Sequence, residues 1–169
     1  GGAQMASWRS AVMNYQPVPG LALGAYAPIW ICPTLEAQPE LLLSLQGSSL
    51  PILDGGRRSL HSLYAQVPFT LKLFVNRTFS IQGGYQGGYL LGAMSEGHDV
   101  ADDLNSVDHG FLVGAGIDPR RGFDLTLRYY SGNSPLLAND AQIYPTSRVL
   151  QFTLGKRIAQ FSHRKIRRH

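Results

Sequence analysis

Histidines, acidic side chains and one cysteine are the groups through which this 169-residue chain could do chemistry. His109 follows Asp108 and lies near Ser106, and His98 lies between Glu96 and Asp99. Serine, histidine and carboxylate are the parts of an activated nucleophile, but only when the side chains meet. Successive residues of a strand point to opposite faces, so Asp108 and His109 cannot form a dyad there. No pattern fixes a serine near His98. The acidic stretch Glu96 to Asp103 lacks the oxygen-ligand periodicity of a calcium loop. Cys32 is the only cysteine. It excludes an internal disulfide and a cysteine metal cluster, and reads as a small apolar residue near a strand end. The expectation is no catalytic set, no metal and no cofactor.

A second group of charges recurs at strand spacing: Glu36, Glu40, Lys72, Asp108, Asp124 and Arg128. The elements that carry them are legible in the stretch Leu63 to Gly92. Leu63, Ala65, Val67, Phe69, Leu71, Leu73 and Val75 fall on one face, and Tyr64, Gln66, Thr70 and Lys72 on the other. After the polar break Asn76-Arg77, Phe79, Ile81, Tyr85 and Tyr89 alternate with Ser80, Gln82, Gln86 and glycines. A period of two held this long predicts two long strands joined as a hairpin.

The same alternation predicts strands over 1–9, 20–31, 34–47, 107–117, 123–130 and 146–158. Pro39 and strict alternation decide for strand over helix in 34–47, with a bulge or an unpaired N–H at the proline. Eight strands result. Short connections (Cys32-Pro33, Asn76-Arg77, Asp118 to Gly122) alternate with long ones (10–19, 48–59, 93–106, 131–145). An even-numbered antiparallel meander then places every short turn and both termini at one end. This is an all-β, eight-stranded up-and-down transmembrane β-barrel.

Composition agrees. Charged residues make up 15% of the chain, against about 25% in average soluble domains. No apolar run reaches the roughly 20 residues of a transmembrane helix. The polar face is rich in Gln and Gly: Glu36, Gln38, Glu40, Gln66, Lys72, Gln82, Gln86, Asp108, Asp124, Arg128 and Gln151, with glycines at 84, 88, 110, 114 and 116. A soluble lipocalin-like ligand binder would turn its apolar face inward. So few charges make a poor water-facing surface, and the glycines suit a crowded interior. The polar face is therefore expected inside, with Glu40 pairing Lys72 and Asp124 pairing Arg128, since buried charge requires a partner. Tyr26, Tyr89, Tyr129, Tyr130, Trp30 and Phe161 lie near strand ends, and some of them are expected to form aromatic girdles. Arg157, His163, Arg164, Lys165, Arg167, Arg168 and His169 crowd the C-terminus. With no basic, aromatic-interleaved face elsewhere, residues 162–169 read as a solvated basic tail after a barrel over 1–161, and nucleic acid is not expected as a partner.

Several segments resemble the PorT-like outer-membrane β-barrel proteins of the Bacteroidetes: Gln38-Pro-Glu-Leu41, Tyr64 to Lys72, Gly83 to Leu91 (Gly-Gly-Tyr-x-Gly-Gly-Tyr-Leu-Leu), Asp108 to Gly116 and Arg128 to Gly132. Their order and spacing, over about 20–161, are more specific than any one of them. Phe161 resembles the terminal aromatic read by the barrel-assembly machinery, although eight residues follow it. The resemblance implies a bacterial outer-membrane location with both termini periplasmic. It also implies contact with outer-membrane lipid, lipopolysaccharide and other outer-membrane proteins. One member gives the family a link to type IX secretion. The functional expectation is a non-enzymatic structural or interaction subunit of a larger secretion, assembly or nutrient-uptake complex. The alternatives are a lipid-modifying outer-membrane enzyme and the soluble binder.

Overall fold

A computed structural model describes residues 1–9, 16–51, 57–95, 98–99, 106–118, 122–134, 146–158 and 161–162. Its strands are β1 (Gly2–Arg9), β2 (Gln16–Tyr26), β3 (Ile29–Cys32), β4 (Leu35–Pro51), β5 (Arg57–Phe74), β6 (Phe79–Ser95), β7 (His98–Asp99), β8 (Val107–Ile117), β9 (Gly122–Gly132), β10 (Thr146–Arg157) and β11 (Phe161–Ser162). Hydrogen bonding runs β1, β2, β4, β5, β6, β8, β9, β10 and back to β1, which closes an eight-stranded antiparallel barrel. β3 continues the line of β2 past a break at Ala27-Pro28 and pairs with β4. β7 pairs with the end of β6.

The register fixes the width. One way round from Gln4, the path of paired residues runs through Gln151, Arg128, Gly114, Gln82 and Lys72 to Glu36. The other way it passes Gly20, which lies between Val18 (opposite Gly47) and Leu21 (opposite Leu45), and so reaches the level of Gln46. Glu36 and Gln46 are ten residues apart, and that is the shear of the barrel. Eight strands with this shear tilt by roughly 40° and enclose a cylinder about 8 Å in backbone radius, which side chains fill.

The faces sort as the alternation requires. Leu21, Leu41, Phe69, Leu71, Phe111, Leu125 and Phe152 are exposed, while Gln38, Thr70, Lys72 and Arg128 are buried. A water-soluble barrel has the opposite arrangement. An apolar exterior around a polar interior is stable in lipid, where all strand N–H and C=O groups are paired within the ring.

The structure departs from the sequence expectations in several places. β4 and β5 continue pairing to Pro51 and Arg57, and β6 runs to Ser95, so much of the polar stretches assigned to loops is strand. Ser, Gly and Arg side chains mark those stretches as polar, but pairing depends on main-chain partners, which the neighbouring strand supplies. β2 likewise starts at Gln16, with Pro19 inside a bulge between Val18 and Leu21, where a missing N–H is tolerated. Pro39 faces the break between β2 and β3, and the Ala27 N–H donates to its carbonyl at 3.0 Å. The chain remains attached to the wall beyond 161, because Phe161–Ser162 pairs in parallel with Ile29–Trp30. The basic residues 163–169, the loop acids Glu96, Asp102 and Asp103, and the rest of the long loops lie outside the described residues.

Candidate functional site: the closed interior and the outer wall

The interior has two storeys. In the half nearer the short turns, four carboxylates and three cations converge. Arg128 on β9 donates to Glu40 on β4 through both terminal nitrogens, at 2.7 and 2.6 Å. These two strands are four steps apart in either direction round the ring, so the pair crosses the lumen. Arg157, at the end of β10, donates to Glu36 at 2.7 and 3.0 Å, and also reaches Asp118 at 3.4 Å and Asp124 at 3.5 Å. Lys72 donates to Asp118 at 2.7 Å. The Tyr26 hydroxyl donates to Asp124 and the Ser80 hydroxyl to Asp118. Gln38 and Thr70 complete the shell of Glu40, at 2.8 and 3.4 Å.

Small residues make room for these groups. A side chain at Gly155 would collide with the Asp124 carboxylate and the Tyr26 ring, and one at Gly116 with Asp118 and Ser80.

The partners differ from those expected. Lys72 pairs with Asp118 rather than Glu40, and Arg128 pairs with Glu40 rather than Asp124. At a backbone radius of about 8 Å, long side chains from opposite walls reach each other across the axis, so lumen neighbours replace strand neighbours. Neither Asp118 nor Arg157 is among the interior charges expected from the sequence, Asp118 standing in the predicted turn Asp118 to Gly122. Parity places both inside: Asp118 continues the inward series Asp108, Gly110, Leu112, Gly114, Gly116, and Arg157 the inward series Gln151, Thr153, Gly155 of the last predicted strand.

Nearer the long loops the interior changes character. Ala6, Leu112, Tyr130 and Val149 form a buried apolar cluster, with Tyr64 and Leu90 also buried. Asp108 stands apart from the ionic set and is buried, as is Tyr130. Tyr130 and Tyr26 therefore face inward and are not girdle residues; Tyr89 and Tyr129 are outward and exposed, and Trp30 stacks on Phe74 with ring centroids 4.8 Å apart. The side chain of Phe161 lies outside the described residues.

On the outer wall, Asp108 and His109 occupy opposite faces, and His109 meets Ser134 instead. The Ser134 hydroxyl accepts the His109 backbone N–H at 3.2 Å and lies 2.7 Å from its Nδ1. The side chains of His98 and Asp99 lie outside the described residues. Among the described residues no cluster of metal-ligating groups occurs.

Two hollows remain. One of about 480 Å³ lies by the short-turn rim between β2 and β10, lined by Tyr26, Asp124, Arg128 and Arg157 among others. The other, of about 540 Å³, is an apolar groove on the outer wall over β1. Residues 5–137 match the family model described as outer membrane protein beta-barrel domain. No curated protein and no solved structure gives a significant match.

Proposed function

Because the chain belongs to the outer membrane protein beta-barrel domain family, we propose that it is a non-conducting, non-enzymatic barrel that serves as a structural or interaction subunit of a larger outer-membrane complex. The observation that supports this most is the Arg128–Glu40 pair spanning the lumen, backed by the Arg157 cluster below it. Opening a path there would strand charges that are 6% exposed or less. A breached buried pair costs about 3–5 kcal/mol. With its lumen crossed by ion pairs, the protein has its outer wall and its loops left to act with.

In this reading the short turns and both termini face the periplasm and the long loops face outward, as in other barrels of this form. The finer kinship is with PorT-like proteins of the Bacteroidetes, and the complexes concerned are those of secretion (type IX among them), assembly or nutrient uptake. The partner is another outer-membrane protein. Two measurements test the proposal. The purified protein in planar bilayers gives no steady single-channel current, and tagged protein extracted from native outer membranes in mild detergent retains a stoichiometric partner. Steady currents, or extraction free of any partner, would refute it.

A second reading, a lipid-modifying enzyme, draws on the His109–Ser134 contact near the loop rim. The Ser134 hydroxyl there already accepts the His109 amide, which suits a clasp between β8 and the end of β9. A mass change in lipid A on expression, abolished by His109→Ala or Ser134→Ala, would favour the enzyme.

A further inference from the structure

We infer that the outer wall over β1 holds one lipid A molecule, with a phosphate on Arg148 and an acyl chain in the apolar groove below it. Arg148 lies on the outward face of β10 near the loop rim. Its Nη1 donates to the Tyr129 hydroxyl at 2.9 Å, and its guanidinium carbon sits 5.9 Å from the centre of that ring. Tyrosine thus positions the cation without neutralising it. Among the described residues no carboxylate reaches Arg148, whereas Arg128 and Arg157 each hold a glutamate with two hydrogen bonds. A guanidinium with free donors at the edge of a lipid-facing surface fits a phosphate.

Two residues further along the same face, about 7 Å at strand spacing, Leu150 begins the groove. Ala3 and Gly20 are small, and Leu21, Leu150 and Phe152 rise around them to enclose about 540 Å³. Cation above and apolar floor below match an amphiphile with an anionic head. A partner's apolar segment would fill the floor and leave Arg148 without its anion. The choice of lipid A rests on the proposed orientation, in which the loop rim faces the outer leaflet. Lys156, at the far end of the same face over Phe123, supplies a matched control at the other rim.

The test uses the full chain, extracted from outer membranes in mild detergent, with bound lipid counted by native mass spectrometry. Wild-type protein and Lys156→Gln should each retain about one lipid A. Arg148→Gln, and Ala3→Phe, which fills the groove, should retain at least fivefold less. Heat-modifiable gel mobility reports folding, and if Arg148→Gln fails to fold, Ala3→Phe decides. Equal retention by the two folded variants and wild type, or equal loss in Lys156→Gln, would overturn the inference, as would retention of a phospholipid in place of lipid A. Orientation is read separately with an impermeant maleimide on intact cells. Asn133→Cys in a Cys32→Ser background should label, and native Cys32 should label only after permeabilisation. Labelling in this pattern without lipid A retention defeats the lipid site alone; the reverse pattern defeats the orientation.

Discussion

Arg128 and Glu40 face each other across the full width of the barrel and are joined by two charge-assisted hydrogen bonds of 2.7 and 2.6 Å. Their strands share no edge, so this contact ties opposite walls together where the ladder of main-chain bonds cannot. It sits where the lumen would otherwise be open.

Arg128→Met should therefore destabilise the folded barrel by about 3–5 kcal/mol, because Glu40 would be left buried without its cation. Glu40→Gln combined with Arg128→Met should recover a large part of that loss. Urea titration of the protein in lipid vesicles, followed by tryptophan fluorescence, measures both. Independent, additive losses would mean that the pair is not coupled.

Gly155 is the space in which the Asp124 carboxylate and the Tyr26 ring pack. Gly155→Val should push both aside and lower stability by about 1–3 kcal/mol, the usual range for overpacking. Tyr26→Phe, which removes only the hydroxyl that Asp124 accepts, should cost about 1.5–3 kcal/mol. The two losses should not add, since they act on the same contact. A chemical denaturation series on the two single variants and the double variant checks this.

Phe152 points outward and Val149 inward, three residues apart on one strand. A tryptophan placed at 152 in bilayers of brominated lipid should be strongly quenched. One placed at 149 should be protected wherever the variant folds. Quenching at 149 with protection at 152 would invert the assignment of faces.

The turn between β5 and β6 is closed by Asn76, whose Oδ1 accepts the N–H groups of Thr78 and Phe79 at 2.8 and 2.7 Å. Asn76→Ala should cost about 1 kcal/mol, seen as a small shift in the urea midpoint. No change would show that water replaces the side chain without penalty at this exposed rim.

Much of this architecture is legible in the sequence. The period of two in Leu63 to Val75 and Phe79 to Tyr89 defines strands and faces, because the pleat admits no other reading of so long an alternation. The polar residues Glu36, Glu40, Lys72, Asp108, Asp124 and Arg128 were gathered on one face by the same rule, and in the folded barrel each is buried. The ends of strands were less legible. Ser48 to Pro51 and Arg57 to Leu60 are polar in composition yet paired in fact, since side-chain polarity carries no information about a main-chain partner on the next strand.

What the sequence determined by itself is the eight strands of the ring, the places of their turns, and which side of each strand is oily. All of these are local, set by residues two apart or by a turn. Only the tertiary structure decided that Glu40 belongs to Arg128 and that Lys72 and Arg157 share Asp118. Those choices depend on the shear, which sets the radius and brings opposite walls within reach of one another. Shear is a property of the closed ring, and no single strand encodes it.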